Sequence, residues 1–149
     1  MGKAWKKFVA VGDNHGALID QDTARAVLKF CDHWKPDARI HLGDCFDFAS
    51  LRAGINPDSD GVACDDLTED LFQGFKFLEQ FRPHVYLVGN HEDRLWRIAT
   101  SHTQGVMRYA ARDVIERIEK QCKRMRCKLY LYHAENGVHH EANGKLAFA

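Results

Sequence analysis

Three short segments of the chain place residues that bind metal ions or transfer protons directly after an aliphatic run. In the first segment, Phe8–Val11 leads into Asp13 and His15. Because alternate residues of an extended chain share a face, the Asp13 carboxylate and the His15 imidazole are expected on the same side. Both groups are good ligands for Mn²⁺, Fe or Zn²⁺ and need no thiolate beside them. The first segment is therefore a candidate metal site.

The second and third segments contain side chains that could bind a second metal ion. Asp44 follows the run Ile40–Leu42, and its two oxygens could bridge a pair of ions. Asn90 follows Val85–Val88 and adds a neutral amide oxygen. Two ions about 3.5–4 Å apart can clamp a phosphate and lower the pKa of a bridging water, which generates a nucleophile. The residue types therefore indicate a hydrolytic centre with two divalent ions.

Three further residues are candidates for handling protons or charge. His91, next to Asn90, could stabilise charge on a phosphate or protonate the leaving oxygen. Asp47, three residues after Asp44, could accept a hydrogen bond from His91 and hold it in one tautomer. Arg94 is near enough in sequence to contact a phosphate, and an ion pair with a nearby acid is an equal alternative. We predict His91 and Asp47 as the catalytic pair.

Parallel strands joined by helices would bring the three segments together. Each segment follows an apolar run of strand length, and the stretches between them are long enough for a helical crossover. The carboxyl ends of such strands meet at one edge of the sheet, where open α/β proteins build their sites. His41 and Cys45 are expected to be packed or surface residues and not ligands.

The intervening residues have the apolar spacing of helices. One helix is predicted to begin near Asp20 or Asp22 and to stop at Pro36, and a second follows Asp65 or Asp66. Their predicted core stripes are Ala24, Val27, Leu28, Cys31 and Trp34, and Leu67, Leu71, Phe75 and Leu78. Each helix lies between two predicted strands, as a crossover requires.

The remainder of the chain continues the alternation. Gly54–Asp65 is predicted to be a loop, and helical pattern resumes near Asp93. A longer helix has Val106, Ala110, Val114 and Ile118 as its predicted stripe, and Lys128–Tyr132 and Leu146–Phe148 are predicted strands. We find no repeats or linkers, so the sequence predicts one domain of the α/β class over residues 1–149.

Composition narrows the class of protein further. Twenty-one basic and twenty-one acidic residues leave a formal net charge of zero, so the chain as a whole has no bias towards nucleic acid or membranes. The apolar stretch Phe8–Val11 is too short for a signal peptide or a membrane span. Five cysteines form an odd number without framework spacing, which predicts a reduced, cytoplasmic protein.

The three segments together resemble a known family. In order and spacing they are similar to the N-terminal blocks of the calcineurin-like metallophosphoesterases. The blocks here are Gly12-Asp13-x-His15-Gly16, Gly43-Asp44-x-x-Asp47 and Gly89-Asn90-His91-Glu92. The resemblance implies an α-β-β-α sandwich and a two-metal centre. It assigns Asp13 and His15 to the first metal, Asp44 to the bridge and Asn90 to the second metal, with His91 as the catalytic histidine paired with Asp47.

The family pattern also has a later part, in which a His-Gly and a Gly-x-His block complete both metals. The chain ends at Ala149, just after the predicted strand Leu146–Phe148. We therefore expect an incomplete, C-terminally truncated domain whose second sheet lacks its C-terminal part, leaving an edge through which copies could pair. His133, His139 and His140 follow no strand-to-glycine pattern and are expected to be loop residues.

The resemblance implies a metal-dependent hydrolase of phosphomonoesters or phosphodiesters, a phosphatase in the broad sense. Mn²⁺ is the favoured ion, with Fe or Zn²⁺ as alternatives, and the substrate class stays open. One alternative is a catalytically impaired fragment or pseudoenzyme that binds metal or phosphate without the C-terminal histidines. Another is a nuclease that contacts the backbone of DNA or RNA through the basic stretch 108–128.

Overall fold

The computed structural model describes residues 6–51, 67–101, 105–132, 139–141 and 146–148. In chain order the elements are β1 (Phe8–Val11), α1 (Gln21–Trp34), β2 (Ala38–His41), α2 (Leu67–Phe81), β3 (Val85–Leu87), α3 (Asn90–Thr100), α4 (Gly105–Met125), β4 (Lys128–Tyr130), β5 (His139–Glu141) and β6 (Leu146–Phe148). Single 3-10 turns lie at Gly16–Leu18 and Ala49–Leu51. The predicted loop Gly54–Asp65 is outside the described residues.

The main sheet is parallel and follows chain order. Its strands are arranged β1-β2-β3-β4, and every neighbouring pair is parallel. Ala10 is in register with Ile40, and Ile40 with Val85. Helices supply the connections between strands, which confirms the predicted α/β class. The carboxyl ends of β1, β2 and β3 consequently lie along one edge of the sheet.

Different elements pack against the two faces of the main sheet. Tyr86 and Leu129 belong to the core that the sheet shares with α2, α3 and α4, and Val9 and Val11 pack on α1 and α2 residues. On the other face, Ile40 and its neighbours on β3 contact Phe148 of β6. The layers are therefore helices, a parallel sheet and a small antiparallel sheet made of β5 and β6.

Helix α1 shows how the sequence signals act locally. The Asp20 side chain accepts a hydrogen bond from the Thr23 backbone N–H at 2.6 Å and caps the first turn. Lys35 ends the helix in the left-handed conformation just before Pro36. The face containing Val27 and Cys31 packs against α2, as the periodicity predicted. This packing fixes the loop between β1 and α1 over the end of the sheet.

The structure corrects the prediction that His139 and His140 are loop residues. Both lie in β5, which pairs antiparallel with β6 and sets His139 opposite Phe148. His139 is buried against the Tyr130 ring, with centroids 5.6 Å apart. The sequence His-His-Glu does not alternate apolar and polar residues. Pairing with β6, and not an apolar pattern of its own, therefore accounts for this strand. His133 lies outside the described residues.

The predicted stripe of α4 is also partly wrong. Val106 is 80% exposed, and Ala110 is exposed as well. The buried positions are Ala111, Val114, Ile118 and Cys122. Steps of four residues overshoot a turn of about 3.6 residues by about 40°, so a row spaced strictly at four drifts around the helix. The buried stripe therefore includes a step of three residues that the predicted stripe lacked.

Candidate metal centre

The loops that follow β1 and β2 run side by side. The backbone N–H of Asp13 donates to the Gly43 carbonyl at 3.1 Å, and that of His15 donates to the Asp44 carbonyl at 3.0 Å. Gly16 N–H continues the series with a 2.8 Å bond to the Cys45 carbonyl. This ladder extends the pairing of β1 and β2 beyond the strands. It brings the first two sequence blocks into direct contact.

Three candidate ligands hold an unusual backbone conformation within this ladder. The φ angles are +55° for Asp13, +46° for His15 and +51° for Asp44, all in the left-handed region. For residues other than glycine this conformation costs about 1–2 kcal/mol each, although Asp and His adopt it more readily than most. Such strain persists where the surrounding hydrogen bonds enforce it, and it concentrates at functional sites.

Three side chains from three different blocks converge at this edge. His15, Asp44 and His91 each offer one ligand atom, and these atoms lie within 4.8 Å of one another. The rings of His15 and His91 meet edge to face, with centroids 4.6 Å apart. All three residues are half-buried, so they are held in place and still accessible to solvent. One carboxylate and two imidazoles form a donor set that suits Mn²⁺, Fe or Zn²⁺.

Asp47 lies behind both histidines. Its Oδ1 is 2.9 Å from His15 Nδ1 and 3.1 Å from His91 Nδ1, and its carbonyl oxygen is 2.6 Å from the same His91 atom. Since these oxygens accept hydrogen bonds, each Nδ1 is the protonated nitrogen. The Nε2 atoms of both rings are then the ones available to a metal ion or to substrate.

The remaining sequence candidates lie at the border of this cluster. The Asp13 side chain is 81% exposed, and its Oδ1 is 3.9 Å from His15 Nε2. Asn90 begins α3 with an exposed side chain. Its neighbour His91 is tied to the cluster by a backbone N–H that donates to Asp44 Oδ1 at 2.9 Å. The structure therefore gathers His15, Asp44, Asp47 and His91 tightly and leaves Asp13 and Asn90 open to solvent.

Glu92 holds the second and third blocks together, a role that sequence reasoning missed. Its buried carboxylate accepts hydrogen bonds from the backbone N–H groups of Asp44 at 3.0 Å and Gly89 at 2.9 Å, and from the Tyr86 hydroxyl at 2.8 Å. Burial raises the pKa of Glu92 to about 6. The available signal was its position directly after Asn90 and His91 in the third block.

Asp70 of α2 positions Asp47 in a similar way and was also missed. Its fully buried carboxylate accepts hydrogen bonds from the backbone N–H groups of Asp47 at 2.9 Å and Phe48 at 3.0 Å. Gly16 passes so close that a Cβ there would lie 1.6 Å from Asp70 Oδ1. An acid next to Leu71, inside the apolar stripe of α2, was the signal that could have revealed this role.

His41 connects the first two loops from the core. It is completely buried, and its Nε2 lies 2.7 Å from Asn14 Oδ1, while Gly43 N–H donates to its Nδ1 at 3.2 Å. Asn14 in turn donates through Nδ2 to the Cys45 carbonyl at 3.0 Å. Burial lowers the pKa of His41 to about 3, so this ring stays neutral.

Arg94 adds positive charge beside His91. Its Nη1 donates to the carbonyls of Asp47 at 3.1 Å and Phe48 at 3.4 Å, and it lies 3.3 Å from His91 Nδ1. Among the described residues no carboxylate forms an ion pair with it. Of the two roles that the sequence left open for Arg94, the structure therefore favours a guanidinium held at the site over a surface ion pair.

The model of one protein family matches most of the chain. The calcineurin-like phosphoesterase model covers residues 6–144. This protein belongs to the calcineurin-like phosphoesterases. No curated protein and no solved structure matches the chain. The parallel sheet with its helices is a fold of the metallophosphoesterase type, as the sequence resemblance predicted. None of the helices among the described residues combines the length and the apolar character of a membrane-spanning segment.

A calcineurin-like phosphoesterase is expected to use divalent metal ions, and the residues present fit them. The cluster of His15, Asp44 and His91 has the hard oxygen and imidazole donors that such ions prefer. The tautomers that Asp47 imposes leave Nε2 of His15 free for coordination and Nε2 of His91 free to meet a substrate. The donor chemistry of the cluster therefore agrees with the family.

Proposed function

We propose that this protein hydrolyses phosphomonoesters or phosphodiesters at a centre of two divalent ions, with Mn²⁺ favoured. The convergence of His15, Asp44 and His91, three residues distant in the chain, supports this proposal most strongly. Asp13 and His15 would bind the first ion, Asn90 would bind the second, and Asp44 would contribute to both. Their positions at one sheet edge are compatible with that assignment.

Bound divalent ions would supply charge that polarises the phosphate and favours deprotonation of a water nucleophile. The chain's own residues account for the other half of the reaction. His91 donates through Nδ1 to Asp47, which orients the ring and presents Nε2 to the site. Its Nε2–H can then protonate the leaving oxygen. The Arg94 guanidinium, held near His91, adds positive charge that stabilises the developing anion.

The hydrolysis of bis(4-nitrophenyl) phosphate in the presence of Mn²⁺ tests this function. Asp44→Asn removes one negative charge from the centre of the cluster and should lower kcat/KM to background. Asp113→Asn changes an exposed acid of α4 and is the matched control, which should keep full activity. A folded protein that binds Mn²⁺ but hydrolyses no ester would support the alternative of a binding module. Equal rates for Asp44→Asn and the parent would refute the proposed centre.

Nucleic acid as the substrate remains a less favoured proposal. Much of the basic stretch lies on α4, where Lys120 pairs with Glu116 at 2.8 Å and Arg124 pairs with Glu79 at 2.7 Å. These pairs neutralise part of the charge that a phosphate backbone would contact. A nuclease would bind DNA with an affinity that falls steeply as salt rises, whereas a flat salt response would exclude it.

The proposed location is the cytoplasm. Four cysteines in the described part of the chain, Cys31, Cys45, Cys122 and Cys127, are free thiols, which supports a reducing compartment. The measurement that checks this is fractionation of the source cells with an antibody against the protein. Recovery outside the cytoplasmic fraction would contradict the proposal.

A further inference from the structure

A cavity of about 430 Å³ opens beside the candidate metal centre. It lies between the loop after β1 and the first turns of α1. Asp13 belongs to both places, because it lines the cavity and also lies 3.9 Å from His15 Nε2. The apolar residues that line the cavity include Val11, Leu18, Ala24, Val27 and Phe77. A molecule held at the metal centre could therefore extend into this space.

Part of the cavity wall is apolar. Val11, Ala24 and Val27 are partly buried around it, and Phe77 is only 5% exposed. Leu18 also lines the cavity and has 72% of its surface exposed. Since these side chains offer no hydrogen bonds, a charged group would lose its hydration there without compensation.

Most polar groups that line the cavity already have partners. The Asn14 amide is engaged by His41 and by the Cys45 carbonyl. Asp20 Oδ1 accepts the Thr23 N–H in the cap of α1. Asp13 is the exposed polar group at the end nearest the metal centre. Asp13 and Asp20 therefore give the cavity two carboxylates beside an apolar interior, which disfavours an anionic occupant and favours an uncharged one.

We propose that this cavity binds the organic group of the ester, and that this group is uncharged and apolar. The inference rests on the proposed function, because the phosphoryl end would lie at His15 and Asp44. The volume falls within the range of small-molecule pockets, roughly 300–1,000 Å³, near its lower limit. Esters whose organic part carries further phosphates or carboxylates are the substrates that it disfavours.

Binding of phenylphosphonate and methylphosphonate, measured by calorimetry with Mn²⁺, tests the link between cavity and centre. The protein should bind the phenyl compound about tenfold more tightly, because its ring leaves water. Ala24→Phe places a ring inside the cavity, where it competes with the phenyl group, and should reduce the preference for the phenyl compound without weakening methylphosphonate. Ala26→Phe places the same ring on an exposed position of α1 and should preserve the preference. Thr23→Trp, at an exposed lining position, provides a second blocking variant if Ala24→Phe fails to fold.

A second readout separates the cavity from the proposed function. Phenol carries no phosphoryl group, and the methyl NMR signals of Val11 and Val27 should shift saturably when it is added. Those shifts should disappear in the folded blocking variants and remain in Ala26→Phe. If phenol shifts neither valine, or if the preference for the phenyl compound survives blocking, the cavity is not the ester site. If phenol binds but neither phosphonate does, the ester role is overturned, whereas loss of hydrolysis alone refutes only the proposed function.

Discussion

His91 and Asp47 meet at two points. The Nδ1 atom of His91 lies 2.6 Å from the Asp47 carbonyl oxygen and 3.1 Å from the carboxylate Oδ1. Both partners are acceptors, so the proton resides on Nδ1 and Nε2 is the atom presented to the site. A backbone atom and a side-chain atom of one residue thus set the tautomer and the ring orientation. The catalytic assignment of His91 depends on this contact.

Replacing His91 with Gln should lower kcat by about 10²–10⁴-fold, because a positioned general acid contributes about that much. The loss should be larger for phenyl phosphate than for 4-nitrophenyl phosphate, since a poor leaving group needs the proton more. Initial rates on both esters at saturating Mn²⁺ check the prediction. Equal losses on the two esters together with lost Mn²⁺ would instead identify His91 as a metal ligand.

Replacing Asp47 with Asn should reduce activity about 10–100-fold, as is typical when a carboxylate behind a site histidine is removed. Loss of the carboxylate removes one of the two acceptors that orient His91, so the loss should be larger for phenyl phosphate than for 4-nitrophenyl phosphate. Initial rates on both esters measure this, with Asp113→Asn as the control that keeps both rates. An equal fall on the two esters would mean that Asp47 does not act through His91.

Replacing Gly16 with Ala should destabilise the protein by about 3 kcal/mol, which combines a left-handed backbone with overpacking. The φ angle of Gly16 is +44°, and an added Cβ would lie 1.6 Å from Asp70 Oδ1. Gly105→Ala is the matched control, because a Cβ at Gly105 meets nothing within 4 Å. Urea unfolding of both variants checks the difference. Equal midpoints would show that the contact between the first loop and α2 is not tight.

Replacing His41 with Gln should reduce the sensitivity of stability to acid. The folded pKa of His41 is lowered to about 3 from 6.5. The unfolded chain therefore binds the extra proton between these values, and the contribution is complete above pH 6.5 and lost as the pH falls towards 3. Between pH 7 and 5 the parent should lose about 2 kcal/mol more than the variant. Parallel losses in metal-free urea unfolding would contradict a neutral buried ring.

The sequence was sufficient to predict the convergence of the three blocks. Strands that lead into Asp13, Asp44 and Asn90 must end at one edge if they are parallel, and the helical spacing between them requires that arrangement. The same logic could not predict whether a side chain turns inward, which is why Asn90 is exposed while its neighbour His91 joins the cluster.

Residues that support the site were harder to predict, because their partners are distant in sequence. Glu92 accepts hydrogen bonds from the backbone N–H groups of Asp44 and Gly89, and Asp70 accepts one from the backbone N–H of Asp47. Nothing local distinguishes such acids from surface residues until the loops are placed. Strand β5 was missed for a related reason, since its pairing with β6 and not its composition defines it.

Elemental analysis of the protein after gel filtration with Mn²⁺ shows whether the side chains at the sheet edge hold metal ions. It needs no substrate and depends on the cluster of His15, Asp44 and His91. We predict that the parent and Asp113→Asn retain Mn²⁺, whereas folded Asp44→Asn and His15→Ala lose most of it. Equal metal content in all four proteins, or none in the parent at any Mn²⁺ concentration, would mean that these side chains form no metal centre.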